Sequence, residues 1–255
     1  MINPNFSPKN MNIRNPSLYF NKLLSINERN NDPKKISSPE NLLHVSKICG
    51  TYNKNLLDNL AKRREKVSEF FGEKCLINER LNLQHRLLIG SGNPSIFEVG
   101  FTFSRNYGVP IIPGTALKGV LAHYIYEEFP CDHILKKNFK LLFGTDLNGD
   151  NNNKGLLIFL DAIPTKYRIG IDIVNNHFQP YYMKEDKPPN DWYNPNPVTY
   201  LVVENAKFLF TVLSSEPIRD DLKNSFKTVF LECLQNFGMG AKTSYGYGLF
   251  NKSKE

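Results

Sequence analysis

The chain has 255 residues, 40% of them hydrophobic, which is enough to bury a core as one large domain or two small ones and excludes disorder throughout. No run of about 18 apolar residues occurs and the asparagine-rich start lacks the apolar stretch of a secretory signal, so a soluble, cytoplasmic protein with no membrane partner is expected. Thirty-two Lys and Arg against 25 Asp and Glu leave a formal charge of +7, which favours a polyanionic partner without identifying one.

Cys49, Cys75, Cys131 and Cys233 are scattered, with no CxxC pair and no closely spaced histidines. They suggest neither a zinc site nor a disulfide framework and read as buried free thiols. Residues 1–38, rich in Asn, Pro, Ser and Lys, read as an irregular arm, and 39–74 as a helical segment whose apolar positions are Leu42, Leu43, Val45 and Ile48, then Leu56, Leu57, Leu60, Val67, Phe70 and Phe71. Its basic run, Lys62, Arg63, Arg64 and Lys66, is balanced by Glu65 and Glu69 and reads as a solvated helix face.

The rest, 75–255, reads as one domain with an irregular insertion at about 164–197, densest in proline and aromatic residues from Asn175 to Pro197. Leu81, Leu83, His85, Leu87 and Ile89 alternate as one face of a strand, placing His85 in the core. VPIIPGTALKGVL (Val109 to Leu121) then opens a helix that runs to about Phe129 and buries Leu117, Val120, Leu121, Tyr124 and Ile125. GTDLNGDNNNKG (Gly144 to Gly155) imitates a calcium loop at Asp146, Asn148 and Asp150. Asn151 and Leu157 stand where such a loop needs glycine and a bidentate glutamate, so no metal is expected.

LLIFLDAI, the alternating run Tyr167 to Ile173, VTYLVV and KFLFTVLS read as strands. A helix follows from about Pro217, with Leu222, Phe226, Val229, Phe230, Cys233, Leu234 and Phe237 inward and Gly238 as its cap, and TSYGYGLF reads as a closing strand. Leaving the N-terminal helices and the insertion aside, the order strand, helix, strand, strand, helix, strand predicts an α+β, ferredoxin-like (RRM-like) fold: an antiparallel sheet with helices on one face and the other face free for a partner.

Two glycine motifs carry the functional signal. In the first, Thr115 reads as the N-cap, placing Lys118 in the first turn, where a cation is unfavourable by about 0.3–1 kcal/mol unless an anion faces it. Gly119 costs a further ~1 kcal/mol inside a helix. A phosphate at the helix start and a backbone passing Gly119 would resolve both misfits. An exposed lysine beside a glycine that admits a tightly packed strand would resolve them as well.

In the second motif, FGMGAKTSYGYGLF (Phe237 to Phe250), Gly238, Gly240, Gly246 and Gly248 surround Lys242, Thr243, Ser244 and Tyr245. Ala241 before the lysine and a strand afterwards exclude a nucleotide-hydrolase phosphate loop. The order helix, glycines, strand excludes a dinucleotide fingerprint. A basic loop open to a ribose-phosphate chain and a tight helix-to-strand turn both remain.

IIPGTALKGVL resembles the signature of the CRISPR RAMP superfamily of ferredoxin-like RNA binders, and GMGAKTSYGYGLF resembles its C-terminal glycine-rich loop. GNPSIFEVGFTF, LLFGTDLNG, LIFLDAIP, DIVNNHFQPYY and PNPVTYLVV are similar, in that order, to the sixth-subunit family of the type III-B Cmr effector complex. The resemblance covers about Leu81 to Phe250.

It implies a ribonucleoprotein subunit that caps a backbone filament near the 3′ end of the guide RNA (crRNA) and supports target RNA interference, with the backbone, small and other capping subunits as partners. It also implies that Gly114, Thr115, Lys118, Gly119, Gly238, Gly240, Lys242, Thr243, Ser244 and Tyr245 contact the RNA backbone, with no cofactor and no catalytic residue. Relatives that process guide RNA use a histidine, so a metal-independent endoribonuclease acting through His123 or His177 is the alternative. A weaker third reading is target cleavage with an aspartate and a divalent metal. Asp161 and Asp172, within or beside apolar strands, are explained by caps and loop hydrogen bonds more simply than by metal ligation.

Overall fold

The computed structural model describes residues 15–23, 39–50, 53–95, 97–145, 153–176 and 196–252, together with 181, 183 and 188. The chain divides into two compact units, one of Met1–Thr51, Gly90–Gly108 and Ile169–Val202, the other of Tyr52–Ile89, Val109–Arg168 and Val203–Glu255.

In the first unit, Asn15 accepts from the Leu18 amide and caps a helical turn, Pro16–Leu18, that continues as a π turn, Tyr19–Leu23. The irregular arm expected over 1–38 is therefore corrected for 15–23. Those residues are ordered by burial, since Tyr19 and Phe20 are each 1% exposed and the Phe20 ring stacks on Phe97 at 5.0 Å. The Asn15 amide also donates to the Arg105 carbonyl, 3.0 Å, fastening the turn to the loop Gly90–Gly108. Helix α1 (Pro39–Gly50) adds Leu42, Val45 and Cys49 to the buried set, at the spacing of one helical face.

The second unit holds helix α2 (Lys54–Phe71), strands β1 (Cys75–Leu83) and β2 (Arg86–Leu87), and helices α3 (Gly114–Glu128), α4 (Ile134–Lys137) and α5 (Phe139–Phe143). Strand β3 (Leu157–Phe159), helix α6 (Asp220–Glu232) and strand β6 (Phe250–Lys252) complete it, while β4 (Ile163–Asn176) and β5 (Asn196–Ser214) contribute residues to both units. β1 pairs antiparallel with β5, β6 with the other edge of β1, and β3 with the other edge of β5. The order β6–β1–β5–β3, with α3 after β1 and α6 after β5, is the ferredoxin-like arrangement. β2 prolongs the β1 edge through Leu87↔Val203, and β4 prolongs the β3 edge, Thr165 Oγ1 donating to the Lys207 carbonyl at 3.1 Å.

Successive residues of a strand face opposite ways, and two ion pairs mark the faces. Glu79 takes Lys227 of α6 at 2.9 Å, and its neighbour Arg80 pairs with Glu65 of α2. Exposed pairs of this kind contribute about 0–1 kcal/mol, so they record geometry more than stability. Between the sheet and α6 lies the core of Phe208, Phe210, Phe226, Phe230 and Phe250, all 0–1% exposed. Helix α2 lies on the opposite face with Leu57, Leu60 and Ala61 buried. A sheet face free for a partner was expected; at β1 that face is covered.

Several element boundaries differ from the sequence reading. The strand expected through His85 starts earlier, at Cys75, and breaks at Gln84–His85, and His85 is exposed. VTYLVV and KFLFTVLS are one strand, with Asn205 at φ 48 where a break was expected; asparagine tolerates that left-handed conformation better than most residues. Residues 163–176 form β4, so the insertion does not begin at 164. Helix α6 starts at Asp220, where Asp220 and Asp221 suit the positive helix start, and its π-turn extension Cys233–Phe237 ends at Gly238, φ 77, as predicted. TSYGYGLF is not a strand until Phe250. Asp146, Asn148, Asp150 and Asn151 of the calcium-like tract, and His177 and Trp192 of the insertion, lie outside the described residues.

The expectation of four buried thiols is also corrected: Cys49 and Cys233 are buried, Cys75 is half-buried and Cys131 is exposed. Burial pushes the Cys233 thiol up to about 12 and the Cys49 thiol well above its ordinary value, which keeps both protonated and unreactive. In the native protein at pH 8, a maleimide should therefore label Cys131 first, and Cys131→Ser should remove the fastest phase. Rapid labelling of Cys233 before unfolding, read by peptide mass, would contradict this burial.

Candidate nucleic-acid interface

Helix α3 starts two residues earlier than Thr115 as N-cap would place it, which puts Lys118 beyond the first turn. Pro113 occupies the cap position with no side-chain cap bond, Gly114 is the first helical residue, and Thr115 is exposed within the first turn. The cap comes from elsewhere: the Gly114 amide donates to Asp161 Oδ1 at 2.8 Å. A carboxylate thus already satisfies one amide at the positive end of the helix, weakening the case for a phosphate at that spot. Arg64 of α2 faces the same carboxylate. Burial pulls its guanidinium below the ordinary value, the charge of Asp161 opposes that shift, and Arg63 adds to it.

The two glycines of this motif have different causes. Gly114 is buried, and a Cβ there would overlap the Phe159 carbonyl of β3, so close packing requires it. Gly119 is exposed with nothing within 4 Å of where a Cβ would stand. Among the described residues no strand packs on Gly119, which weakens the tight-packing explanation at that position. Lys118 beside it is half-buried, and its ammonium makes no ion pair or hydrogen bond among the described residues.

The second motif folds as a series of left-handed turns: Gly238, Gly240, Lys242, Gly246 and Gly248 have φ of 77, 86, 61, 82 and 68. Gly240 and Gly248 are pressed inward, since a Cβ would overlap the Leu88 carbonyl at one and the Met239 carbonyl at the other. Lys242 is different because a residue with a Cβ costs about 1–2 kcal/mol in this region. It starts a 3-10 turn, Thr243–Tyr245, in which the Tyr245 amide donates to the Lys242 carbonyl at 3.0 Å. Thr243 is half-buried, Ser244 is exposed, and Tyr245 is 83% exposed.

The motifs meet through α3 and the π turn. The rings of His123 and Tyr124 lie 5.8 and 5.7 Å from Phe237, which directly precedes Gly238. Lys118 stands five residues before His123, or about 7.5 Å of helix rise. Gly114, Thr115, Lys118 and Gly119 therefore share one helix with a ring contact to the entrance of the loop that carries Gly238, Gly240, Lys242, Thr243, Ser244 and Tyr245. Sequence reasoning placed His85 in the core and so missed it as part of this region. Asp161, marked in the sequence by its apolar surroundings and read as a cap, does cap α3, but which helix it caps was not legible.

The histidine and aspartate candidates are placed as follows. His123, expected near the buried face of α3, is exposed on it beside Phe237, and His177 lies outside the described residues. Asp161 holds the Gly114 amide, and Asp172 Oδ1 accepts from the Ile173 amide at 2.8 Å. Among the described residues no group of three or more His, Cys, Asp or Glu side chains could hold a metal ion. No helix among the described residues is long and apolar enough to cross a membrane.

A model of the RAMP superfamily matches residues 80–251, a span that contains both glycine motifs and all or part of every strand of the sheet. The chain belongs to the RAMP superfamily. This RAMP chain is 29% identical to CRISPR system Cmr subunit Cmr6 of Pyrococcus furiosus, over 93% of its own length and 94% of that relative. It is 24% identical to CRISPR system CMR subunit Cmr6 of Saccharolobus solfataricus, over 82% and 67%. It also superposes on a chain of a type III-B Cmr-beta complex bound to cognate target RNA with a TM-score of 0.63, covering 89% of this chain and 77% of that one. At 21% identity, this likeness speaks for the fold.

The divided roles of the first motif in this RAMP domain are open to measurement by urea unfolding. Gly119→Ala should stabilise the isolated chain by about 1 kcal/mol, because it removes a helix-interior glycine into open space. Gly114→Ala should destabilise it by about 1–3 kcal/mol through overpacking against Phe159, and Asp161→Ala by about 0.5–2 kcal/mol through loss of the cap. If Gly119→Ala were the most damaging of the three, the assignment of inward and outward halves would be wrong.

Proposed function

We propose that this RAMP chain is a non-catalytic, RNA-binding structural subunit of a cytoplasmic type III-B CRISPR (Cmr) effector complex. In this reading it caps the backbone filament near the 3′ end of the guide RNA, touches the backbone and small subunits, and supports target RNA interference. Its likeness to the Cmr6 subunits over nearly its whole length supports the reading. The observation that carries it is Lys242, held left-handed at the base of an exposed turn. Strain at a polar loop position marks a constraint imposed by function rather than by packing.

In this reading Lys118 and Lys242 hold phosphates, and the open face at Gly119 admits a backbone. Such contacts position the RNA without reading its sequence. The surroundings of the acids and the histidine favour holding over cutting, because Asp161 is engaged in capping α3 and His123 packs beside Phe237.

Lys118→Glu combined with Lys242→Glu should leave thermal unfolding cooperative while guide RNA recovered with the purified complex falls at least roughly tenfold, because each lost phosphate contact is replaced by repulsion. Unchanged RNA retention would sink the proposal. Lys242→Gly separates strain from contact: stability should change by less than about 1 kcal/mol, since relief of the left-handed cost offsets the added chain entropy, while RNA affinity falls. Repeat RNA incubated with the chain in chelator should remain intact. Site-specific cleavage abolished by His123→Ala would replace this reading with the endoribonuclease one.

A further inference from the structure

The break between β1 and β2 has no explanation within the sheet itself. Gln84, His85 and Arg86 are all exposed there, although Leu83 and Leu87 on either side are buried. The glycine loop docks on this break through backbone hydrogen bonds. The Gln84 amide donates to the Leu249 carbonyl at 2.9 Å, the Gly248 amide to the Arg86 carbonyl at 2.7 Å, and the Ala241 amide to the Leu88 carbonyl at 2.8 Å. These bonds flank the Thr243–Tyr245 turn on both sides, so the turn and the strand break are held as one surface.

On that surface Gly246 faces His85. A Cβ on Gly246 would stand 3.9 Å from His85 Cδ2 and meet nothing else within 4 Å. The next residue back is Tyr245, 83% exposed. Among the described residues, neither the His85 ring nor the Tyr245 side chain has a hydrogen-bond or ring partner. Two flat rings, separated by a residue without a side chain and bordered by Lys242, make an aromatic and cationic surface with its π faces unspent.

We propose that His85 and Tyr245 are a base-stacking element, taking an unpaired nucleotide of single-stranded RNA while Lys242 holds a neighbouring phosphate. The proposal rests on the RNA-binding reading above and narrows it to one strand state. A duplex keeps its bases stacked on one another, whereas a single strand offers each base face to an aromatic side chain, whatever its sequence. The left-handed glycines at 246 and 248 hold the turn in place and add no side chain that would fill the space beside the rings.

The test measures fluorescence anisotropy of a labelled RNA oligonucleotide, free and annealed to its complement, at pH 8 over a range of salt. The parent chain should prefer the single strand. Tyr245→Ala should weaken single-strand binding roughly 5- to 150-fold, and His85→Ala about fivefold, both with the salt dependence unchanged. Tyr245→Phe and His85→Phe should restore binding, because stacking needs a ring and no proton. Lys242→Ala, by contrast, should flatten the salt dependence by about 0.7 in logarithmic slope. Parental affinity in Tyr245→Ala, failure of phenylalanine to rescue, or equal binding of the duplex would overturn the stacking assignment while leaving the functional reading standing. A parent chain that binds no RNA, alone or in the assembled complex, would overturn both.

Discussion

Strand β5 has both edges hydrogen-bonded, and this constraint organises the RAMP domain. One edge takes β2 at Val203 and Glu204 and β1 from Lys207 to Leu213; the other takes β3 from Val212 to Ser214 and β4 beside Lys207. A strand enclosed in this way is buried on both faces, and from Phe208 to Ser214 every residue is. Thr211 is accommodated there because its hydroxyl donates to Asn78 Oδ1 at 3.1 Å. A slip of one residue would turn Phe208 and Phe210 to the wrong face and misplace both edges at once, so the register tolerates no alternative. Asn205 lets the strand bend just ahead of this stretch, so the β2 and β1 partners on one edge need not form a single straight run.

From that frame the two glycine motifs inherit inner and outer halves. Gly114, Gly240 and Gly248 are glycine because another backbone occupies the space of a side chain. Gly119 and Tyr245 stand outward, with Lys118 and Lys242 half-buried beside them. In each motif the inner residues thus fix where the outer ones stand. Asp161 serves the same end by tying the segment between β3 and β4 to the start of α3. Because α2 covers the sheet at β1, the surface left open there is made by the loops at the rim of the sheet.

The helices and the core were legible in the sequence because their information is local. Leu117, Leu121 and Ile125, or Leu222, Phe226, Val229 and Phe230, repeat at the helical period and are buried. The order of strands and helices was likewise enough for the fold. What was illegible depends on partners distant in the chain. Asp161 caps an amide 47 residues away, and no window containing either residue reveals the other. His85 alternates with Leu83 and Leu87 as a core residue would, yet the chain leaves the sheet at Gln84 because its amide bonds to Leu249. Tyr-Gly-Tyr-Gly has the period of a strand, and a chain of left-handed turns produces the same letters. The covering of the sheet by α2 is recorded only in pairs such as Arg80 with Glu65, which balance charges without naming their partner.

The dependence of the loop on the strand break also sets an order in time. β1 and the break are synthesised early, whereas the loop and β6 leave the ribosome after every other strand of the sheet. β6 pairs with β1 through Leu83↔Phe250, and the loop before it bonds Gly248 to Arg86 and Ala241 to Leu88. Contacts of such long sequence separation form late because loop-closure entropy must be overcome first. The surface that the loop and the strand break form together is therefore among the last parts of the sheet to be completed.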